Sequence, residues 1–309
     1  RGGAHGWFSR EHASATSHHC QRGRFAGNMP SRRQRGEAVV RLKVRLVAAL
    51  VAGWLPAGCA DGFQTLRQAG PNERAIRAAV TLPPGAGPFP LLVVVHGCAG
   101  PRPNAAAWAE LARQAGFATA IADQHGPLGI GATCTEAAVR LFERFRDTHT
   151  LVRLMQQRPE IRADRVFVMG FSVGAALALG TATAQWDLMD PPGGDPPPPR
   201  PRGAIALYGA CSFFPAEMRA PLLLLLAQRD DWTIPQDCLD WVRGVRRGPV
   251  PRIVLLEGAH HAFDDTEAAG PRLMAGYANA NRPGGFGATI GYSAAATAGA
   301  RREVLEFLE

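Results

Sequence analysis

From residue 75 onward, short apolar runs recur between turn signals. Several of these runs are apolar throughout, as in LLVVV, VFVM and LLLLL. Strands that are buried on both faces of a parallel sheet have this pattern, whereas strands with one face in solvent alternate apolar and polar residues. The predicted strands are 75–82, 91–96, 117–122, 165–170, 204–208, 221–227 and 252–257.

Stretches with helical periodicity separate these strands. The predicted helices are 104–115, 136–157, 173–186, 236–246 and 294–308. Alternation of strand and helix predicts an α/β fold, a mostly parallel doubly wound sheet with helices on both faces. The segment DPPGGDPPPPRPR at 190–202 is interpreted as a stiff surface loop, because proline lacks a donor and fixes φ. The alternation continues beyond this loop, so we expect one domain over 59–309.

Residues 1–58 are predicted to be a disordered extension followed by an export leader. A ten-residue apolar run, LVAALVAGWL at 46–55, follows a cluster of basic residues. Such a run is too short to span a bilayer but is typical of a signal peptide. It ends in Pro56-Ala-Gly before Cys59, which resembles a bacterial lipobox with Pro in place of the usual Leu. We expect a protein that is periplasmic, tethered to the membrane through a lipidated Cys59, or secreted; an uncleaved anchor or a buried helix is the alternative.

The net charge of the chain does not indicate a nucleic-acid partner for the folded part. The chain has 34 Lys and Arg against 26 Asp and Glu, a formal net charge of +8. Residues 1–45 hold ten of the basic and two of the acidic residues, which leaves 24 of each sign in the rest of the chain. A folded body with balanced charge gives no reason to expect nucleic-acid binding. The sequence also has no phosphate-binding GxxxxGK[ST] loop and no Cys/His metal-ligand spacing, so neither a cofactor nor a metal is expected.

The strongest chemical signal is Gly-Phe-Ser-Val-Gly at 170–174. It lies directly between a buried predicted strand and an Ala-rich predicted helix. Glycines two residues before and after Ser172 allow a sharp turn that exposes the serine hydroxyl, and the helix N-terminus favours a developing oxyanion. Ser172 is therefore the predicted nucleophile.

A serine nucleophile needs a base and an acid that orients the base. In folds of this type the acid and then the histidine follow the serine along the chain. Two adjacent acids, Asp230 and Asp231, follow one predicted strand, and two adjacent histidines, His260 and His261, follow the next. Position in the sequence leaves both pairs open.

Four motifs together resemble the dienelactone hydrolase-like family of α/β-hydrolases. They are HGCAG at 96–100, GFSVG at 170–174, RDDWTIP at 229–235 and GAHHAFDD at 258–265. The resemblance implies a hydrolase of small esters or lactones with a Ser-His-Asp triad. It selects His261, because the family histidine precedes Gly/Ala-Phe. It favours Asp230, because Ala227-Gln-Arg-Asp230 matches the family's G-x-x-D turn with Ala in place of Gly, although counting back from Pro235 gives Asp231.

The resemblance also places an oxyanion hole and shows two departures. The loop after the strand LLVVV supplies one donor in this fold, so the backbone N–H groups of Cys98 and Val173 are the predicted hole. His96 is expected to brace this loop rather than to transfer protons. Archetypal members use a cysteine nucleophile and are cytoplasmic, whereas this chain has Ser172 and an export leader, which weakens any expectation of the dienelactone substrate itself.

Four cysteines remain after Cys59, an even number that suggests disulfides in an oxidising compartment. The predicted topology favours Cys98–Cys134 and Cys211–Cys238, and four unpaired cysteines are the alternative.

The activity expected from these features is that of a serine carboxylesterase. A serine peptidase or amidase of the same fold, and a non-catalytic exported binding lipoprotein, are the alternatives. Four aromatic residues could line an acyl pocket or belong to the core: Trp108, Phe171, Trp232 and Phe263. The Gly- and Asn-rich stretch 270–292 could cap a cleft or cross the surface.

Overall fold

The described part of the chain is built around one eight-stranded sheet. The computed structural model describes residues 62–68, 74–136, 140–189 and 199–309, so the predicted leader with Cys59 and most of the proline-rich loop lie outside the described residues. The strands follow the order β1-β2-β4-β3-β5-β6-β7-β8. They are β1 (Phe63–Gln68), β2 (Arg74–Thr81), β3 (Phe89–Val95), β4 (Ala118–Asp123), β5 (Ile161–Phe171), β6 (Gly203–Leu207), β7 (Leu222–Ala227) and β8 (Arg252–Leu256).

The sheet is parallel from β4 to β8, and β1 and β2 form an antiparallel edge. Every residue of β6 and β7 is buried, as their continuous apolar sequences predict. The α/β-hydrolase fold is therefore confirmed. Strand β3 lies between β4 and β5, and Val95 pairs with Gly170. The segments that follow β3 and β5 thus leave the sheet side by side, at the edge where ligands bind in open α/β folds.

In the described ranges, five α-helices cover the two faces of the sheet: α1 (Pro103–Gln114), α2 (Leu141–Gln156), α3 (Val173–Thr181), α4 (Pro235–Arg243) and α5 (Ala294–Leu308). Alternate residues of β3 point to opposite faces, since Val93 belongs to one buried cluster and Leu92 to the other. Helices α2, α3 and α4 contribute to the first cluster, whereas α1 and α5 contribute to the second. None of the helices in the described ranges is long and apolar enough to cross a membrane.

Several elements differ from the sequence prediction. The helix predicted over 173–186 ends at Thr181, and a short 3₁₀ turn covers Trp186–Met189. The hydroxyl groups of Thr181 and Thr183 donate to carbonyls of the last helical turn, which gives the backbone an alternative to further helix. Strand β1 was not predicted. The hairpin β9 (Arg272–Ala278) and β10 (Phe286–Ile290) was not predicted either, and it forms a separate two-stranded sheet.

Candidate active site

Ser172 occupies a sharp turn between β5 and α3. Its φ of 54° and ψ of −120° are strained for an L-residue, and its backbone N–H donates to Leu207 O at 3.0 Å. The two motif glycines make the turn possible. A Cβ on Gly170 would overlap the backbone of Gly174, and a Cβ on Gly174 would lie 2.5 Å from the carbonyl oxygen of His96. The local sequence therefore presents the Ser172 side chain at the carboxyl edge of the sheet.

Asp230 and His261 meet across the loops that follow β7 and β8. The distance from His261 Nδ1 to Asp230 Oδ2 is 2.8 Å, and both side chains are almost fully buried. Asp230 Oδ1 accepts the backbone N–H groups of Trp232 and Thr233, each at 2.9 Å. The Thr233 hydroxyl lies 2.8 Å from Asp230 Oδ2. The carboxylate is thus fixed by its own turn with one oxygen directed at the imidazole.

This geometry determines which nitrogen of His261 carries the proton. A carboxylate accepts hydrogen bonds, so Nδ1 carries a proton, and in the neutral ring the lone pair is on Nε2. Ser172 and His261 line the same cleft, although no hydrogen bond joins these two described side chains. Catalytic hydrogen bonds are often long before substrate binds. His260 does not line this cleft.

The second acid candidate, Asp231, has different partners. Its carboxylate accepts the backbone N–H and the hydroxyl of Thr289, at 2.8 and 2.7 Å, and forms an ion pair with Arg282. Burial alone would raise the pKa of Asp231, but the bonds from Thr289 and Arg282 lower it below its usual value. Asp231 therefore ties the hairpin β9–β10 to the loop that carries Asp230.

The loop after β3 passes directly beside the serine. A Cβ built on Gly97 would lie 3.4 Å from Ser172 Cβ, and Gly97 and Cys98 both line the cleft. Val173 follows the serine as the first residue of α3. The structure therefore brings the loop that contains Cys98 next to the start of α3, which contains Val173. These are the two residues whose backbone N–H groups are the predicted oxyanion donors.

Both predicted disulfides are present in the structure. Cys98 is bonded to Cys134, and the Cys98 carbonyl also accepts the Thr133 N–H at 2.8 Å. Cys211, after β6, is bonded to Cys238 in α4. The first bridge anchors the loop beside Ser172, and the second anchors the helix that follows the acid loop. Disulfides of this kind persist in oxidising compartments.

The cleft is small and combines apolar with polar walls. Its volume is about 110 Å³. Of the four aromatic candidates, Phe171 and Trp232 line it, whereas Trp108 and Phe263 lie in the core. The remaining walls come from the loop after β3, from α1 and from the hairpin β9–β10, which contributes Arg272 and Tyr277. The stretch 270–292 thus forms part of the cleft.

Backbone strain is concentrated at this cleft. Among the described residues, four non-glycine residues have positive φ, and three of these line the cleft: Ser172, Tyr208 and Ala262. Strained conformations of this kind persist where the surrounding structure enforces them, and they cluster at functional sites.

A buried polar network that the sequence analysis missed lies behind His261. The Asp264 carboxylate accepts hydrogen bonds from the Tyr208 hydroxyl at 2.7 Å, from Trp108 Nε1 at 2.6 Å and from Asn104 Nδ2 at 3.2 Å. Burial raises the pKa of Asp264 despite these three donors. The Tyr208 ring packs edge-on against the His261 ring, with 4.7 Å between centroids. The only sequence signal for this network was Asp264 itself, which lies three residues after His261.

The fold and this arrangement of serine, histidine and buried carboxylate define a protein of the α/β-hydrolase class. The dienelactone hydrolase family model matches residues 76–309, and the chain belongs to this family, which makes it a hydrolase. Among the described residues, no group of histidine, cysteine and acidic side chains is arranged to hold a metal ion. No curated protein matches the sequence significantly.

Several solved structures share the fold at low sequence identity. A Klebsiella pneumoniae protein assigned to the dienelactone hydrolases is 16% identical, with a TM-score of 0.55 over 80% of this chain and 98% of its own. A dienelactone hydrolase-like promiscuous phosphotriesterase from metagenomic libraries is also 16% identical, with a TM-score of 0.55 over 80% and 96%. Esterase 2 of Thermogutta terrifontis, phosphoramylated by tabun, is 13% identical, with a TM-score of 0.57 over 80% and 94%.

Proposed function

We propose that this hydrolase is a serine carboxylesterase that acts on small esters or lactones through Ser172, His261 and Asp230. The observation that carries the proposal is the buried pair of Asp230 and His261, joined at 2.8 Å and facing a cleft that a strained serine also lines. The pair supplies an oriented base, and the turn supplies a hydroxyl that lines the cleft.

In the first half of the reaction, Ser172 Oγ attacks the carbonyl carbon of the ester and its proton passes to His261 Nε2. The carbonyl oxygen becomes an oxyanion, which accepts hydrogen bonds from the backbone N–H groups of Cys98 and Val173. The intermediate collapses, the C–O bond to the alcohol breaks, and His261 protonates the leaving oxygen. Asp230 stabilises the imidazolium while the proton is on the ring.

In the second half, water attacks the acyl-enzyme and His261 takes its proton. The tetrahedral intermediate releases the carboxylic acid, and the proton returns to Ser172 Oγ. Every proton is thus carried by one histidine, and no additional reactant is required. A cleft of about 110 Å³ favours short acyl groups over long lipid chains.

The two disulfides support a further part of the proposal, which concerns location. We propose that the protein acts in an exported form, because both disulfides would be reduced in most cytosols. The leader and the lipidation of Cys59 remain predictions from sequence.

The test uses three forms of the protein: the wild type, Ser172→Ala and Ser212→Ala. Ser212 is exposed, so its substitution is a matched control for the loss of a hydroxyl. Hydrolysis of a short-chain p-nitrophenyl ester by the wild type and Ser212→Ala, with none above background by Ser172→Ala, supports the proposal. Equal rates in all three forms would overturn it. Parallel assays with the p-nitroanilide of the same acyl group distinguish an esterase from an amidase.

A further inference from the structure

His96 has three polar contacts at its ring nitrogens, and the two shorter ones determine the protonation of the ring. The third places Arg144 Nη2 3.4 Å from Nδ1, which is longer than an ordinary hydrogen bond, and the same nitrogen donates to the His96 carbonyl oxygen at 2.5 Å. The backbone N–H of Gln124 donates to His96 Nε2 at 3.1 Å, and His96 Nδ1 lies 2.7 Å from the carbonyl oxygen of Gly97. A backbone N–H can only donate and a carbonyl oxygen can only accept. Nε2 is therefore the acceptor, Nδ1 carries the proton, and the ring is a neutral imidazole that donates to Gly97 O.

That carbonyl belongs to the peptide unit that ends in the Cys98 N–H. The atoms of a peptide unit lie in one plane, so a hydrogen bond that holds the carbonyl also fixes the direction of the N–H on the opposite side. Hydrogen bonds in series also polarise one another, which makes the N–H a stronger donor. Among the described residues, the Cys98 N–H itself makes no hydrogen bond.

The surroundings hold the ring in this state. His96 is 1% exposed, and its pKa lies well below the usual value because of burial and the nearby Arg144 guanidinium. Arg144 Nη2 donates to the His96 carbonyl at 2.5 Å, and Arg144 Nε donates to Gln124 Oε1 at 2.9 Å. Gln124 Nε2 donates back to the Arg144 carbonyl at 2.7 Å. A closed buried network therefore positions both the ring and the residue that follows it.

We propose that His96 is a positioning residue for the oxyanion hole: its Nδ1–H holds and polarises the Gly97–Cys98 peptide so that the Cys98 N–H is aimed at the oxyanion. This inference rests on the proposed function, since it needs an oxyanion formed at Ser172. His96 exchanges no proton with the substrate. Its loss raises the energy of the tetrahedral intermediate and leaves binding of the ester largely unchanged.

Two substitutions of His96 separate this role from simple filling of space. In His96→Asn, the side-chain NH₂ takes the place of Nδ1–H and can still donate to Gly97 O, while the acceptor for Gln124 is lost. In His96→Gln, the amide reaches the position of Nε2 and can accept from Gln124, while the donor to Gly97 is lost. His125→Asn is the matched control, because the His125 ring packs against the His96 ring with 4.5 Å between centroids and, within the described part of the chain, makes no hydrogen bond to this loop.

We expect kcat of His96→Gln on a p-nitrophenyl ester to fall by roughly tenfold to a hundredfold with KM nearly unchanged, which is less than the effect of losing a donor outright. His96→Asn should recover most of kcat, and His125→Asn should resemble the wild type. The affinity for a trifluoromethyl ketone, which forms an oxyanion on the serine, should fall in parallel with kcat. Equal losses in both His96 variants, or a change in KM alone, would overturn the proposal.

The imidazole ¹⁵N resonances of the wild-type protein provide a test that does not depend on folding of any variant. We expect a protonated Nδ1 and an unprotonated Nε2 for His96 at pH 7. The opposite tautomer would overturn the proposal. Full activity in Ser172→Ala would overturn the proposed function itself. Unaffected His96 variants in a protein that loses activity in Ser172→Ala would overturn only the proposal for His96.

Discussion

The pair Asp230→Asn and Asp231→Asn offers a sharp test, because the two residues are neighbours in sequence and have separate partners. Asparagine at 230 keeps an oxygen for the backbone N–H groups of Trp232 and Thr233, so the turn is preserved. It places an NH₂ group where Asp230 Oδ2 now lies 2.8 Å from His261 Nδ1. The imidazole must then accept at Nδ1 and carry its proton on Nε2, the nitrogen that should take the proton of Ser172.

The expected loss of kcat in Asp230→Asn follows from this exchange of tautomers. Loss of the correct tautomer in a serine triad lowers kcat by about 10⁴, which corresponds to about 5.4 kcal/mol of barrier. Asp231→Asn instead loses a partly exposed ion pair with Arg282 and one acceptor for Thr289. A pair of that exposure contributes about 1 kcal/mol or less. We expect kcat to change less than tenfold, with KM rising as the hairpin β9–β10 loosens.

Steady-state kinetics of both variants with a short-chain p-nitrophenyl ester provide the measurement. Thermal unfolding of each variant serves as the control for folding. The reasoning is refuted if Asp230→Asn retains kcat within tenfold of the wild type, or if Asp231→Asn loses more activity than Asp230→Asn does.

Three further predictions concern stability and the loop beside the serine. Gly174→Ala should destabilise the fold by about 1–3 kcal/mol or more, since its Cβ would overlap backbone carbonyls. Gly131→Ala is the control, because a Cβ at Gly131 would meet open space. Urea unfolding compares the two variants, and equal stabilities would contradict the close approach of the backbone at Gly174. Replacing Cys98 and Cys134 together by serine should lower the free energy of unfolding by about 3–4 kcal/mol, because the disulfide closes a loop, and should also lower kcat. An unchanged free energy of unfolding together with an unchanged kcat would be inconsistent with an anchoring bridge. Burial lowers the pKa of His125, so the unfolded chain binds more protons than the native protein below about pH 6.5. The contribution of His125 to the free energy of unfolding should therefore decline towards pH 5 by up to about 1.4 kcal/mol per pH unit. The decline measured by urea titrations should be less steep in His125→Asn than in the wild type, and equal slopes would contradict this.

The parts of the site that depend on local sequence were predictable. A buried strand, two glycines around Ser172 and an apolar helix are contiguous, and crowding at Gly170 and Gly174 gives the physical reason for that spacing. The cysteine pairs were predictable for a related reason. Neighbouring parallel strands end at one edge of the sheet, which brings Cys98 close to Cys134.

The roles of the two adjacent acids could not be separated by local sequence. Asp231 is distinguished by bonds to Thr289 and Arg282, residues that lie more than fifty positions further along the chain. The hairpin itself has weak strand signals, because β10 contains Gly287 and because much of β9 is exposed and so lacks a buried apolar face. Tertiary contacts thus determine this wall of the cleft.

The most direct test of the central claim is the site of covalent labelling by a fluorophosphonate, which reacts with activated serines. Peptide mapping by mass spectrometry after brief labelling of the wild-type protein should find one adduct, on Ser172, and prior incubation with excess ester should slow its formation. Asp230→Asn should label far more slowly, and Ser172→Ala should not label. An adduct on another serine, or no adduct in a folded wild-type protein, would contradict the assignment of Ser172 as the nucleophile.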